Sequence, residues 1–233
     1  MKPKRAITSH GRIARGPAPG GLVSSTIDFV ERQLPKWRDD SDRTAETSEP
    51  KLNSQLCKFL DVRARNEFPM AHFHHEESQA KRRRIDISAS PTEPTPIEGK
   101  TYTIYNPFLV IEGKRLPAPS SDREREYVTG FAHRTGGIQR FKLGLHGGAL
   151  GTAVMVGYIQ ANGAQHWWTR INAWIGELAN SKSADGCNWK SIEMLVDCRE
   201  ESTTRTAHAK SRHGRNAEGI VGDLLLFHLW IAM

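Results

Sequence analysis

The sequence predicts an α/β protein, a mixed central β-sheet flanked by helices. Two apolar runs and the helical repeats around them carry that expectation. Phe108-Leu109-Val110-Ile111 is one run, and residues 153–159 (Ala-Val-Met-Val-Gly-Tyr-Ile) are the other. Continuous apolar strands belong to the covered centre of a sheet, where both faces are buried. Leu52, Leu56, Phe59 and Leu60, and later Trp167, Ile171, Trp174, Ile175 and Leu178, recur at helical spacing. Helices and strands interleaved in this order suit helical layers packed on a sheet.

Taken along the chain, residues 1–20 are rich in Arg, Lys, Gly and Pro, without periodicity, and read as a flexible basic arm. Leu22, Val23, Ile27, Phe29 and Val30 suggest one helix, capped by Ser25 or Thr26. Lys36-Trp37-Arg38-Asp39-Asp40-Ser41-Asp42 reads as a polar linker. The expected division is therefore an arm and linker over residues 1–43 and a folded domain over 44–233.

That domain opens with a helix capped by Ser48, with Pro50 tolerated in the first turn. Glu49 precedes Leu52 by three and Leu56 by seven, so it shares their inward face. Residues 69–77 suggest an edge strand on which His72, His74 and His75 are solvated. The basic run Lys81-Arg82-Arg83-Arg84 enters the next strand, where Ile85 and Ile87 take one face and Asp86 the other. Residues 91–99 form a Pro-rich turn, and Tyr102 and Ile104 alternate as a short strand. Residues 121–129 read as a charged helix, and Ile138 to Lys142 as a second short one after Gly136-Gly137. Segments 191–196, 203–210 and 223–232 read as late strands, the last two antiparallel.

The formal net charge of +7 favours an anionic partner, nucleic acid first, because the basic residues cluster. Three cysteines without CxxC spacing imply no disulfide framework. No apolar stretch approaches the roughly 18 residues of a membrane span. The basic start lacks a following apolar segment, so a cytoplasmic protein without a secretory signal is expected.

The chemistry concentrates after the first apolar run. Glu112 and Lys114 project from one strand face, two residues apart, and Asp86 stands on a neighbouring strand. A buried acid–lysine pair is costly unless it has a task. Asp86 and Glu112 offer hard oxygens to Mg²⁺, and the Gly113 carbonyl a further one. Lys114 would orient or deprotonate an attacking water and offset charge as it builds. Glu49 would complete a second metal site or hold a coordinated water.

Glu49, Arg84-Ile85-Asp86 and Val110-Ile111-Glu112-Gly113-Lys114, with the order of elements, resemble the PD-(D/E)XK nuclease superfamily and its restriction-endonuclease-like core. The likeness covers roughly residues 44–160. Ile85 stands where the superfamily name has Pro, a variable position that ligates nothing. The resemblance implies a Mg²⁺-dependent endonuclease, with Mn²⁺ able to substitute, acting on DNA rather than RNA. It implies Asp86, Glu112 and Lys114 as the catalytic core, with Gln139, Arg140 or Lys142 as helix-borne substrate contacts. By family analogy it suggests restriction or phage defence, and a homodimer or higher oligomer would suit cutting of both strands.

From charge alone, Arg205, His208, Lys210, Arg212, His213 and Arg215 form a basic run suited to phosphates. His133 and His146 are lesser candidates as accessory acids or phosphate contacts. The competing expectation is a catalytically silent nucleic-acid-binding or assembly subunit of the same fold.

Overall fold

The computed structural model describes residues 21–79, 83–181, 185–215 and 222–233. Helix α1 (Gly21–Arg38) buries Leu22, Thr26, Val30, Leu34 and Trp37. Steps of three or four residues keep these on one stripe. Helix α2 (Glu49–Glu67) does the same with Leu52, Leu56, Leu60 and Ala64. Ser48 holds the extended N-cap position without a side-chain cap bond, and Pro50 stands in the first turn.

The folded unit therefore includes α1, well ahead of the boundary expected at residue 44. Lys36-Trp37-Arg38, expected as linker, is the helix's last turn. Trp37 is buried with its ring 5.7 Å from that of Tyr158, and Arg38 Nη1 donates to the Thr204 carbonyl at 2.7 Å. A polar run hid one deeply buried anchor. Thr26 is no cap; it lies inside α1 and its hydroxyl donates to the Leu22 carbonyl at 2.7 Å. The basic arm over residues 1–20 lies outside the described residues, as do Lys81 and Arg82 of the later basic run.

Along the chain follow β1 (Ala71–Gln79), β2 (Arg83–Pro91), β3 (Thr95–Ile97), β4 (Lys100–Tyr102) and β5 (Leu109–Leu116). Next come the short α3 (Gly137–Lys142), β6 (Thr152–Ile159) and α4 (Ala164–Asn180), then β7 (Val196–Glu201), β8 (Thr206–His213) and β9 (Leu224–Ala232). Strands β3 and β4 form a separate hairpin whose turn residues Glu98 and Gly99 both have positive φ, the twist a tight hairpin needs. The other seven strands make one mixed sheet in the order β1-β2-β5-β6-β9-β8-β7. Its centre, β5-β6-β9, is parallel, and its flanks are antiparallel.

Strands β5 and β6 are the two apolar runs, buried almost throughout. Antiparallel pairing of β8 with β9 matches the expectation. Several local readings differ: the strand expected on Tyr102 and Ile104 ends at Tyr102 with Ile104 in the turn that follows, and the strand expected from residue 203 starts at Thr206 after a turn. Ser121–Tyr127 is a 3₁₀ helix, and Ser191–Glu193 is a 3₁₀ turn, the strand starting only at Val196. Glu193 ties this segment to Lys142 on α3.

Register assigns the faces. Glu112 lies opposite Met155, Met155 opposite His228, and His228 opposite Ala209. That row points toward α3. The next row, Gly113, Val156, Leu229 and His208, points toward α1 and α2. Helices thus cover both faces of the sheet. Among the described residues no helix is long and apolar enough to cross a membrane.

Candidate active site

The β2–β5 ladder ends at the pair Ile87↔Ile111. One residue further, in the same register, Asp86 would stand opposite Glu112. There the backbone pairing gives way to a side chain: Gly113 N–H donates to Asp86 Oδ2 at 2.9 Å. Gly113 has no room for a side chain, because a Cβ would lie 1.9 Å from Asn53 Oδ1 on α2. Asn53 is held there by the Tyr158 hydroxyl, which donates to that same Oδ1 at 2.8 Å. The close approach of α2 to β5 is what brings Glu49 to the strand end.

Lys114 Nζ contacts Glu49 Oε1 at 2.7 Å and Glu112 Oε1 at 3.0 Å. Glu49 Oε2 accepts from the Arg115 N–H at 3.2 Å. From α3, Arg140 Nη1 reaches the same Glu112 oxygen at 2.7 Å. From the following loop, His146 Nδ1 lies 3.0 Å from Glu112 Oε2. Neither of those last two atoms, both fully buried, is in hydrogen-bond alignment with a partner. The expected Asp86, Glu112, Lys114 and Glu49 converge, and Arg140 joins them.

The electrostatics follow from this packing. Burial pushes Asp86 up to about 7, and the Glu112 charge adds to the push. Burial also opposes ionisation of Glu112, but Lys114, then His146 and Arg140, hold it well below the usual carboxylate range. Lys114 is raised above its ordinary value because Glu112, Glu49 and Asp86 outweigh its burial. It is therefore protonated at neutral pH. The expectation that it would deprotonate a water gives way to a role as a fixed positive charge.

The other basic residues are placed differently. Lys142 is buried with Nζ 2.7 Å from both Glu193 oxygens, so it cannot serve a phosphate. Gln139 is buried too, and its amide organises the loop before α3. Arg215 is buried against the carbonyls of Gly147, Gly148 and Leu150. It clamps the loop that carries His146. Arg205 is exposed near Asp39 at the end of α1. Lys210 and Arg212 are exposed, but alternation puts them on the α1 face, opposite Glu112. The charge run thus splits between a buried clamp and the wrong face.

Behind α3 runs a buried chain of hydrogen bonds. Trp230 Nε1–H donates to the Tyr127 hydroxyl at 2.9 Å. That hydroxyl lies 2.8 Å from His228 Nδ1. Ser211 Oγ bridges His228 Nε2 and His213 Nε2, each at 2.7 Å. His213 Nδ1 faces Glu193 Oε2 at 3.7 Å.

Two contributors escaped sequence reasoning. Arg123 bonds Glu126 at 2.6 Å and lies within the field of Glu49, yet sits in an evenly charged segment that singles out none of its members. Asn53 looked like any polar helix residue, and only Gly113 hints that something must approach β5. His146 was visible through the Gly147-Gly148 that follows it, but its partner was not.

Among the described residues no three His, Cys, Asp or Glu side chains already stand as a metal-ligand cluster. Lys114 and Arg140 occupy the glutamate oxygens that would serve. No family model, curated protein or solved structure matches this chain.

Proposed function

We propose that this chain is a Mg²⁺-dependent nuclease of the PD-(D/E)XK kind, with a restriction-endonuclease-like core, hydrolysing phosphodiester bonds of DNA in preference to RNA. The supporting observation is the convergence of Asp86, Glu112 and Lys114 on adjacent strands, with Glu49 at the strand end. Three acids face two nearby cations there, Lys114 and Arg140, and Asp86 responds by holding its proton up to about 7. A site with surplus negative charge and a buried, unaligned Glu112 Oε2 fits a hard cation.

Asp86 and Glu112 would hold the ion, with Gly113 and Glu49 able to contribute oxygens. Bound there, it would supply Lewis-acid charge to the phosphate and the attacking water. Lys114 keeps its proton and faces the charge that builds on the phosphate. Arg140, whose guanidinium reaches Glu112 from α3, would be placed to meet a phosphate oxygen. His146 Nδ1 lies 3.0 Å from the other Glu112 oxygen.

One observation favours the catalytically silent alternative: Glu112 is already neutralised by Lys114 and Arg140. The two readings separate cleanly. A nuclease cuts plasmid or oligonucleotide with Mg²⁺ or Mn²⁺ and not with EDTA, Glu112→Gln and Asp86→Asn abolish cutting, and Mg²⁺ raises the melting temperature of the wild type alone. A silent binder retains nucleic acid, cuts nothing and melts at one temperature with or without Mg²⁺. A role in restriction or defence is the biological setting that the resemblance suggests.

A further inference from the structure

We infer that the loop at residues 131–134 is the base-contacting element of this site, stacking Phe131 on an unstacked nucleobase of a single-stranded or locally opened substrate. The inference takes its substrate class from the nuclease reading. Its grounds are the loop's own geometry.

The stem of the loop is pinched shut. A Cβ on Gly130 would lie 2.0 Å from Thr135 Oγ1, and one on Gly136 would lie 2.3 Å from Thr129 Cα. Both strands of the stem therefore touch backbone to backbone. The buried Gln139 plugs the ring beneath. Its Oε1 accepts from the N–H groups of Gly130 and Gly136, at 2.9 and 3.3 Å. Its Nε2 donates to the carbonyls of Phe131 and Asp185, at 2.8 and 2.9 Å. All four bonding positions of that amide are used, which fixes it in one orientation. The Thr129 hydroxyl accepts from Phe131 N–H at 3.0 Å and donates to Asp185 Oδ2 at 3.0 Å.

On this rigid base stands a strained tip. Phe131 and Arg134 both adopt positive φ, 48° and 55°. Such backbone is unfavourable for residues with a side chain and persists only where the surroundings over-determine it. The framework holds Phe131 out of the core, 48% exposed, with His133 and Arg134 exposed beside it. An aromatic ring flanked by an imidazole and a guanidinium is suited to a base with its phosphates.

Position completes the argument. Gln139 is the residue before Arg140, which touches Glu112. On the other side, Thr135 Oγ1 donates to Glu126 Oε1 at 3.1 Å, and Glu126 holds Arg123 in the field of Glu49. The loop is thus linked through Gln139 to the helix that carries Arg140, and through Thr135 and Glu126 to Arg123. A ring placed there meets bases next to the phosphate under attack. Duplex bases are already stacked, so the ring favours a strand with an open base.

The test uses full-length protein and a single-stranded oligonucleotide carrying 2-aminopurine, with EDTA present so that binding is read without cleavage. Wild type is expected to bind and change the probe's fluorescence. Phe131→Ala is expected to bind about 5- to 150-fold more weakly, the scale of one lost base stack, with no fluorescence change, and Phe131→Trp to restore both. Phe131→Gly, which accepts the positive φ, serves if the alanine variant does not fold. Wild-type binding and fluorescence in Phe131→Ala or Phe131→Gly would overturn the inference. Mg²⁺ added to the same samples reads the other reading separately. Probe response without cutting removes the nuclease and keeps the loop; cutting that ignores Phe131 removes the loop and keeps the nuclease. Neither binding nor cutting overturns both.

Discussion

Lys114 carries the sharpest consequence at the level of single residues. Its ammonium is held by two glutamates and stays charged, so it contributes through field and contact rather than by taking a proton. Lys114→Ala is expected to lower the single-turnover cleavage rate about a hundredfold or more, with substrate affinity nearly unchanged. Lys114→Arg should recover only part of this, because a planar fork cannot sit between two carboxylates as a compact ammonium does. A weaker affinity with a normal rate would make Lys114 a phosphate anchor instead. Asp86 gives a pH signature. Its carboxyl rises from 3.8 to about 7 on folding, so the metal-free folded state binds a proton that the unfolded chain has released. Stability from this group is whole below about pH 4 and is lost as pH rises through about 7. Asp86→Asn in EDTA should therefore melt above wild type at pH 8, with the difference closing at pH 4. Equal melting profiles for the two proteins at pH 8 would remove the surplus charge from the account.

At the scale of elements, the sequence showed the pieces and hid their neighbours. The β5 and β6 strands were legible because an apolar run with both faces covered leaves an unbroken pattern. Asp86, Glu112 and Lys114 were legible because strand alternation fixes which residues share a face. The last turn of α1 was not, because Trp37 is flanked by Lys36 and Arg38 and a lone aromatic gives no period. The partition of the basic residues also stayed hidden. Lys142 and Arg215 are buried by partners 51 and 65 or more residues away in sequence, Glu193 and the 147–150 loop. Lys210 and Arg212 alternate onto the face away from Glu112. Replacing both by alanine is expected to leave cleavage rate and the salt dependence of binding unchanged. Two lost phosphate contacts on duplex DNA would instead flatten the slope of log affinity against log salt by about 1.8, which a salt titration resolves.

Across the whole molecule, the buried histidines set the response to acid. Burial lowers His213 and holds His228 well below its ordinary 6.5. Both are neutral in the hydrogen-bonded series that joins Trp230 to Glu193. Unfolding releases them to take up protons, so their stabilisation is complete above about pH 6.5 and is lost as pH falls below it. Each contributes a slope of up to about 1.4 kcal/mol per pH unit. In an Asp86→Asn background, which removes the opposing carboxyl, urea midpoints should therefore drop between pH 7 and pH 5, and adding His228→Gln should give a shallower drop from a lower starting stability. An identical slope would mean that the histidine is already charged inside the fold.

The strand order has a consequence for synthesis. Strand β9, residues 224–232, is made after the other described strands but sits between β6 and β8. Until it leaves the ribosome, β6 offers an open edge with the apolar sequence Thr-Ala-Val-Met-Val-Gly-Tyr-Ile, and the β7–β8 hairpin has no sheet to join. Unpaired apolar edges are where nascent chains associate wrongly. The half of the sheet that bears Asp86, Glu112 and Lys114 can form early, yet its neighbour β6 is sheltered only by the final strand. A chain stopped at residue 222 should accumulate in the insoluble fraction, while one carried through residue 233 stays in solution.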